Sequence, residues 1–183
     1  MDAIEVLNTR RSVKKFSDKQ VDKDDLKKVL DAGMHAATGM NLQSPKFLVI
    51  QRKEIIERFS KWNFSHFPEE LQDKMGDVDP FYGAPTLVIV LADGNVPTCV
   101  EDGSLAIGNM LNAAHALGIG ACWIHRAREE FDSIQGKELL KVWGLSTDYI
   151  GVGHVILGYP SDDFKAPEKK LKEDYVLFLD DVI

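Results

Sequence analysis

The sequence predicts an α+β fold in which one sheet is sandwiched between helices, and three observations carry that expectation. Leu26, Val29, Leu30, Gly33, Met34 and Ala37 recur at the spacing of one helix face. The run Leu87-Val88-Ile89-Val90-Leu91-Ala92 is apolar without alternation, as in a strand covered on both sides. Helical and strand-like stretches are also intermixed along the chain, with about four or five strands, which points to one sheet with helices on its faces.

The elements follow in order. A first helix is expected over about residues 2–10, with Ala3, Ile4 and Leu7 on one side. The basic run Arg10-Arg11-Ser12-Val13-Lys14-Lys15 comes directly after it. Asp22 precedes the second helix and Asp25 lies in its first turn, where carboxylates favour a helix N-terminus. The segment Thr38 to Pro45 breaks the pattern and reads as a loop, and Lys46 to Gln51 reads as a strand. Ile55, Ile56 and Phe59 suggest a short helix. Residues 62–82 read as irregular and aromatic, with Trp62, Phe64, Phe67, Phe81 and Tyr82. A buried strand is expected over Thr86–Ala92, then a helix over 101–117 that is apolar nearly all round and therefore buried on most sides, inside the domain or between subunits. A short strand over Ile119–Ile124, helices near 128–135 and 136–143, and a strand over Tyr149–Tyr159 complete the core. The tail is charged from Asp162 to Asp174 and apolar again at Tyr175-Val176-Leu177-Phe178-Leu179. Such a run needs burial, and a partner's sheet edge is a reasonable place for it.

Composition bounds the function. The chain has 183 residues, 44% of them hydrophobic. Its length is close to the ~150 residues of one domain, so a single domain over 1–183 is expected. The net charge of −7 argues against general binding to nucleic acid or to an anionic membrane. Cys99 and Cys122 are too few for a disulfide framework, and no apolar run approaches the ~20 residues of a membrane span. The acidic start is unlike a signal peptide. A soluble cytoplasmic protein is the expectation.

Several chemistries are excluded by spacing. Gly136-Lys137 is followed by Glu138, so the phosphate loop of nucleotide hydrolases is missing. Gly118-Ile119-Gly120 and Gly151-Val152-Gly153 lack the third glycine of a dinucleotide fingerprint. The five histidines have no zinc-ligand spacing, and no serine elbow is present. Glu101 and Asp102 stand at a helix start, where dipole complementarity explains them better than acid–base catalysis.

Two features survive. Arg10, Arg11, Ser12 and Lys14 concentrate positive charge and a hydroxyl in an acidic chain, either as a phosphate site or as a solvated basic patch. Thr38, Asn41 and Gln43 offer donors and acceptors that fit the polar edge of a heteroaromatic ring, or ordinary turn chemistry.

Taken in order, these residues resemble the nitroreductase family of flavoproteins. Arg10-Arg11-Ser12-Val13-Lys14-Lys15-Phe16 is similar to that family's Arg-Arg-Ser-x-Arg/Lys-x-Phe opening. Ala36-Ala37-Thr38-Gly39-Met40-Asn41-Leu42-Gln43 is similar to its Ala-Pro-Ser-x-x-Asn-x-Gln loop. Gly83-Ala84-Pro85 before an apolar strand, the stretch from Glu101 through Asn109 to Ile124, and Gly158-Tyr159-Pro160 resemble its later landmarks. Thr38-Gly39 stands where Pro-Ser is common, and the C-terminal basic residues are lysines where arginine is typical.

The resemblance implies a nitroreductase-like helix–sheet–helix sandwich with a mixed, mainly antiparallel sheet. It implies a homodimer whose C-terminal tail pairs with the partner, with FMN at the subunit interface. It also implies hydride transfer from NADH or NADPH, ping-pong, to nitroaromatics, quinones or similar small-molecule acceptors. Arg10, Ser12 and Lys14, with Arg11 adjacent, would hold the FMN phosphate or the pyrimidine edge. Asn41, with Thr38 and Gly39, would bond the ring, and His125 and Arg126 fall where backbone approaches flavin N5. Lys170 or Lys172 would complete the phosphate site, and the aromatics of 62–82 would either wall the substrate site or serve plain core or dimer packing. The cofactor carries such chemistry, which accounts for a sequence with no triad and no metal cluster. The alternatives are an FMN-binding module for flavin carriage or sensing without NAD(P)H turnover, and a different flavin chemistry on the same scaffold.

Overall fold

The computed structural model describes residues 1–76 and 78–179. Its strands are β1 (Pro45–Ile50), β2 (Thr86–Asp93), β3 (Gly120–Ile124) and β4 (Tyr149–Gly158). They form one sheet in the order β1-β2-β4-β3, with every neighbouring pair antiparallel. The parallel component among the described residues is a single bridge, Ser12 to Ala121. The helices are α1 (Ala3–Thr9), α2 (Lys23–Met34), α3 (Lys53–Ser65), α4 (Glu69–Met75), α5 (Cys99–Ala116), α6 (Ala127–Asp132) and α7 (Ile134–Val142).

Strand alternation explains the sandwich. Val88, Val90 and Ala92 of β2 face a layer built from Leu26 and Val29 of α2 and Ile107, Met110 and Ala114 of α5. Leu87, Ile89 and Leu91 face Ile56 and Phe59 of α3, Phe131 of α6 and Leu140 of α7. A strand whose successive side chains are all apolar must be covered on both faces, and two helical layers do so. In β4 the register shifts by one residue opposite Val90 and Leu91. That bulge keeps Ile150 and Val152 in the same layer as Val155 and Leu157, which strict alternation would not allow.

Several boundaries differ from the sequence reading. The helical pattern was expected to reach Ala37, but α2 ends at Met34, which is 62% exposed. Asp22 caps its start by accepting from Asp24 N–H at 2.9 Å. The region expected to be irregular is partly helical: α3 carries Trp62 and Phe64, and α4 follows. The pair of late helices breaks at Ser133, whose hydroxyl accepts from Gly136 N–H at 3.0 Å and starts α7. α5 begins at Cys99, and within the single chain a strip that includes Val100 and Leu105 is exposed. The tail residues Tyr175 to Leu179 are exposed throughout. Among the described residues no helix is long and apolar enough to cross a membrane.

Two close approaches shape the edges that matter below. The chain at Val13 lies against Gly120, where an added Cβ would come within 2.9 Å of the Val13 side chain. The start of α6 presses on bare backbone at Gly151, where a Cβ would lie 1.9 Å from the Ala127 carbonyl oxygen. Backbone cannot yield as a flexible side chain can. Gly151→Ala is therefore expected to destabilise the protein at the upper end of the ~1–3 kcal/mol typical of overpacking, or beyond it. Chemical denaturation of the two proteins checks this.

Candidate functional site

The first part of the site lies along the outer edge of β3. α1 stops at Thr9, and the chain then runs beside the strand, with Val13 N–H donating to the Ala121 carbonyl at 3.0 Å. Arg10 therefore sits between α1, β3 and the end of α5, and its Nη1 is buried without a partner among the described residues. A cavity of about 260 Å³ opens there, lined by Arg10, Arg11, His115, Gly118, Gly120 and Pro160. His115 reaches Thr9 Oγ1 through Nε2 at 2.8 Å. Burial, and then the charges of Arg10 and Arg11, push the His115 pKa below the usual histidine value of 6.5, with Glu5 opposing.

Arg11 behaves differently from Arg10. Its Nη1 donates to the carbonyls of Asn8 at 2.9 Å and Arg10 at 2.8 Å, and its Nε donates to Pro167 at 3.2 Å. These bonds hold the start of the C-terminal tail against α1. Lys14 is exposed, with its ammonium 5.4 Å from the centre of the Tyr82 ring. Lys170 and Lys172 are exposed, and neither lines the cavity beside Arg10.

At the other end of β3, His125 and Arg126 form a turn into α6. His125 is exposed. Arg126 has φ 81°, a left-handed conformation that costs a non-glycine residue about 1–3 kcal/mol and persists only where its surroundings dictate it. Asn63 Nδ2 donates to the His125 carbonyl at 2.8 Å. Arg126 pairs with Glu129 at 2.6 Å and lies over Phe67, 5.4 Å from the ring centre. Ser12 and His125 are separated along β3 by about 13 Å at strand rise.

The loop expected to read a ring edge is held by a residue that sequence reasoning assigned elsewhere. Met40, Asn41 and Gln43 all have positive φ, between 50° and 57°. Asp102 of α5, 2% exposed, accepts from Gly39 N–H at 2.9 Å and from Ser44 Oγ at 2.7 Å. Burial disfavours its charged form, but the bonds from Ser44, Gly39 and Thr98 outweigh that and hold the carboxyl below the usual aspartate range. Dipole complementarity is therefore not its main role; it pins both ends of a strained loop. The available signal was a carboxylate in the first turn of an otherwise apolar helix. Thr38 accepts from Gln43 N–H at 3.3 Å, and Gln43 Nε2 bonds the exposed Asn41 at 3.2 Å.

One chain does not bring all these residues together. Asp102, which holds the loop, and His115, which flanks Arg10, are separated by thirteen residues of α5, or about 20 Å. Thr38, Gly39 and Asn41 thus lie near one end of the helix, and Arg10 near the other. The aromatic set also divides. Phe81 is fully buried against His154, and Trp62 packs on Phe131, so both belong to the core. Phe67 and Tyr82 alone of the five stack on candidate site cations.

Comparison with known proteins supplies the wider frame. The sequence profile described as the Nitroreductase family matches residues 7–159. A protein of Methanothermobacter thermautotrophicus, provisionally named NADH dehydrogenase/NAD(P)H nitroreductase, is 30% identical over 89% of this chain and 80% of its own length. One of the same name from Archaeoglobus fulgidus is 29% identical over 96% of both chains. The crystal structure of a nitroreductase with bound FMN from Bacteroides fragilis superposes with TM-score 0.86 at 29% identity, covering 97% of this chain and 98% of that one.

Two outcomes are expected. Asp102→Ala leaves the half-buried Gly39 N–H and the buried Ser44 hydroxyl without their acceptor and should lower stability by about 1.5–3 kcal/mol, measured by denaturation. For His115, the folded state holds its proton less tightly than the unfolded chain, so stability should fall as pH drops through 6.5. His115→Gln should shrink the fall in thermal midpoint between about pH 7.5 and about pH 5.5.

Proposed function

The chain belongs to the nitroreductase family, and we propose that it is an FMN-dependent oxidoreductase taking a hydride from NADH or NADPH and reducing nitroaromatics, quinones or similar acceptors. The observation that carries the reading is Arg10, whose buried Nη1 has no acceptor within the described fold. A buried guanidinium nitrogen left without a partner is unfavourable, and a phosphate oxygen or a ring carbonyl would satisfy it. The residues fit FMN in this respect, and the relative of known structure named above carries that group.

Bound FMN would supply the two-electron hydride exchange. The protein's part is to bind, orient and shield. In this reading Arg10, Ser12 and Lys14 hold the phosphate or the pyrimidine edge, and Lys170 or Lys172 adds a further charge. Arg11 acts at one remove, by strapping the tail beside them. The backbone of His125 and Arg126, about 13 Å along β3 from Ser12, would face the ring near N5. Leaving one ring face open lets donor and acceptor use the same place in turn, which makes the kinetics ping-pong.

Thr38, Gly39 and Asn41 lie toward the opposite end of α5 from Arg10, and in this reading they meet the ring held by the other protomer. A second copy supplies them, so the working protein is a homodimer with two composite sites. Exposed apolar residues on α1, α5 and the loop (Ile4, Leu7, Leu105 and Met40 among them) support that assembly. The apolar tail Tyr175–Leu179 then adds to the partner's β1. The outer edge of β3 is occupied by the Ser12–Val13 segment, whereas no described strand covers the outer edge of β1. Two buried free thiols fit a reducing cytoplasm as the place of action.

Protein supplied with FMN is expected to show a flavin spectrum and to bleach anaerobically with NADH or NADPH. Arg10→Ala should weaken FMN binding by roughly 1.5–3 kcal/mol, about 10–150-fold. Protein that never takes up FMN overturns the proposal. A bound flavin that neither dinucleotide reduces leaves a binding module without turnover.

A further inference from the structure

The geometry points to Glu130 and His154, with Asn63, as positioning residues for the His125–Arg126 turn; this rests on the flavin reading, in which that turn faces the ring. Three elements converge beneath it. Asn63 of α3 donates to the His125 carbonyl, and Glu130 N–H of α6 donates to the Arg126 carbonyl at 3.0 Å. The Glu130 carboxylate in turn bonds His154 Nε2 of β4 at 2.6 Å. His154 sits opposite Ile124 in the β3–β4 ladder, and Ile124 is the residue that leads into the turn. The pair thus ties the helix leaving the turn to the strand that registers the chain entering it.

Asn63, Glu130 and His154 are all fully buried, yet each keeps a polar atom without a partner among the described residues: Asn63 Oδ1, Glu130 Oε1 and His154 Nδ1. A buried pair with unsatisfied atoms is a poor source of stability, and apolar residues of similar volume generally serve as well or better. What the pair does supply is a unique placement. It holds α6 where Arg126 must take its left-handed conformation, and the α6 carbonyl at Ala127 is already wedged against Gly151. Backbone dipoles so fixed act most strongly where charge builds on the ring during reduction, and a small displacement weakens them. Loosening the turn should therefore change affinity for reduced FMN more than affinity for oxidised FMN.

The test is the double variant Glu130→Met with His154→Leu, which replaces the pair by apolar side chains. It is expected to unfold cooperatively near the parent's thermal midpoint. Its ratio of affinities for reduced and oxidised FMN, read from the flavin midpoint potential, should change at least tenfold, about 30 mV for a two-electron couple. An unchanged ratio in a folded variant overturns the inference, since a purely structural pair would move stability alone. Should the double variant not fold, Glu130→Gln keeps the shape and one acceptor; a ratio shifted toward weaker binding of reduced FMN supports the inference, and an unchanged one overturns it. Hydrogen exchange on flavin-free protein separates this inference from the reading beneath it. Amides of residues 124–130 should exchange at least tenfold faster in the double variant (or in Glu130→Gln), and equal rates would remove the positioning role. Failure of the parent to bind FMN counts against the functional reading alone.

Discussion

Burial of β2 and β4 on both faces is the constraint from which the remaining architecture follows. Seven successive residues of β2 are buried, and β4 is buried from Ile150 to Gly158. Neither strand can tolerate an open face, so helices must cover both, and the two apolar layers around α5 and around α3, α6 and α7 are the result. With the centre of the sheet sealed, polar chemistry is pushed to its margins. The outer edge of β3 receives the arginine segment, and the loop after α2 lies at the start of α5.

The margins hold strained backbone, and buried polar groups hold the strain. Asp102 pins the loop in which Met40, Asn41 and Gln43 have positive φ. Asn63 Nδ2 and the Glu130 backbone N–H donate to the two carbonyls of the turn in which Arg126 has positive φ, and the Glu130 side chain anchors that helix to His154. In both cases the holding residue lies in an apolar layer and the held segment is partly exposed. A solvated hydrogen bond would be exchanged readily for one to water, whereas a buried one cannot be lost without leaving a group unsatisfied. These polar positions are therefore stiff points in the fold, as a site must be if it is to orient a ring and shield it from water.

Much of this is legible in the sequence. The alternation-free run in β2 identified a strand covered twice, and Asp22 marked the start of α2 where its carboxylate caps the helix. The order of small motifs was enough to suggest the family, because motifs along a chain are local and survive in one dimension. Helix ends were less legible. The apolar spacing of α2 continues to Ala37, but the loop that follows is drawn off by Asp102, sixty-odd residues away, and periodicity carries no trace of that contact. Residues 62–82 read as irregular because α4 buries none of its residues and so shows no apolar face.

Side-chain roles divide in the same way. Residue type and order alone determined the α+β class, the two-sided sheet, the basic segment and the absence of known triad or zinc spacings. These depend on covalent neighbours and on periodicities of a few residues. Tertiary structure decided that Arg10 has a buried nitrogen without a partner among the described residues while adjacent Arg11 is spent on carbonyls, and that Asp102 is a clamp. It also decided that His154 meets Glu130 across twenty-odd residues of chain, and that the loop and the arginines stand at opposite ends of α5. The reason is physical: hydrogen bonding and burial depend on which groups meet in space, and only the packed layers bring distant parts of the chain to within bonding distance.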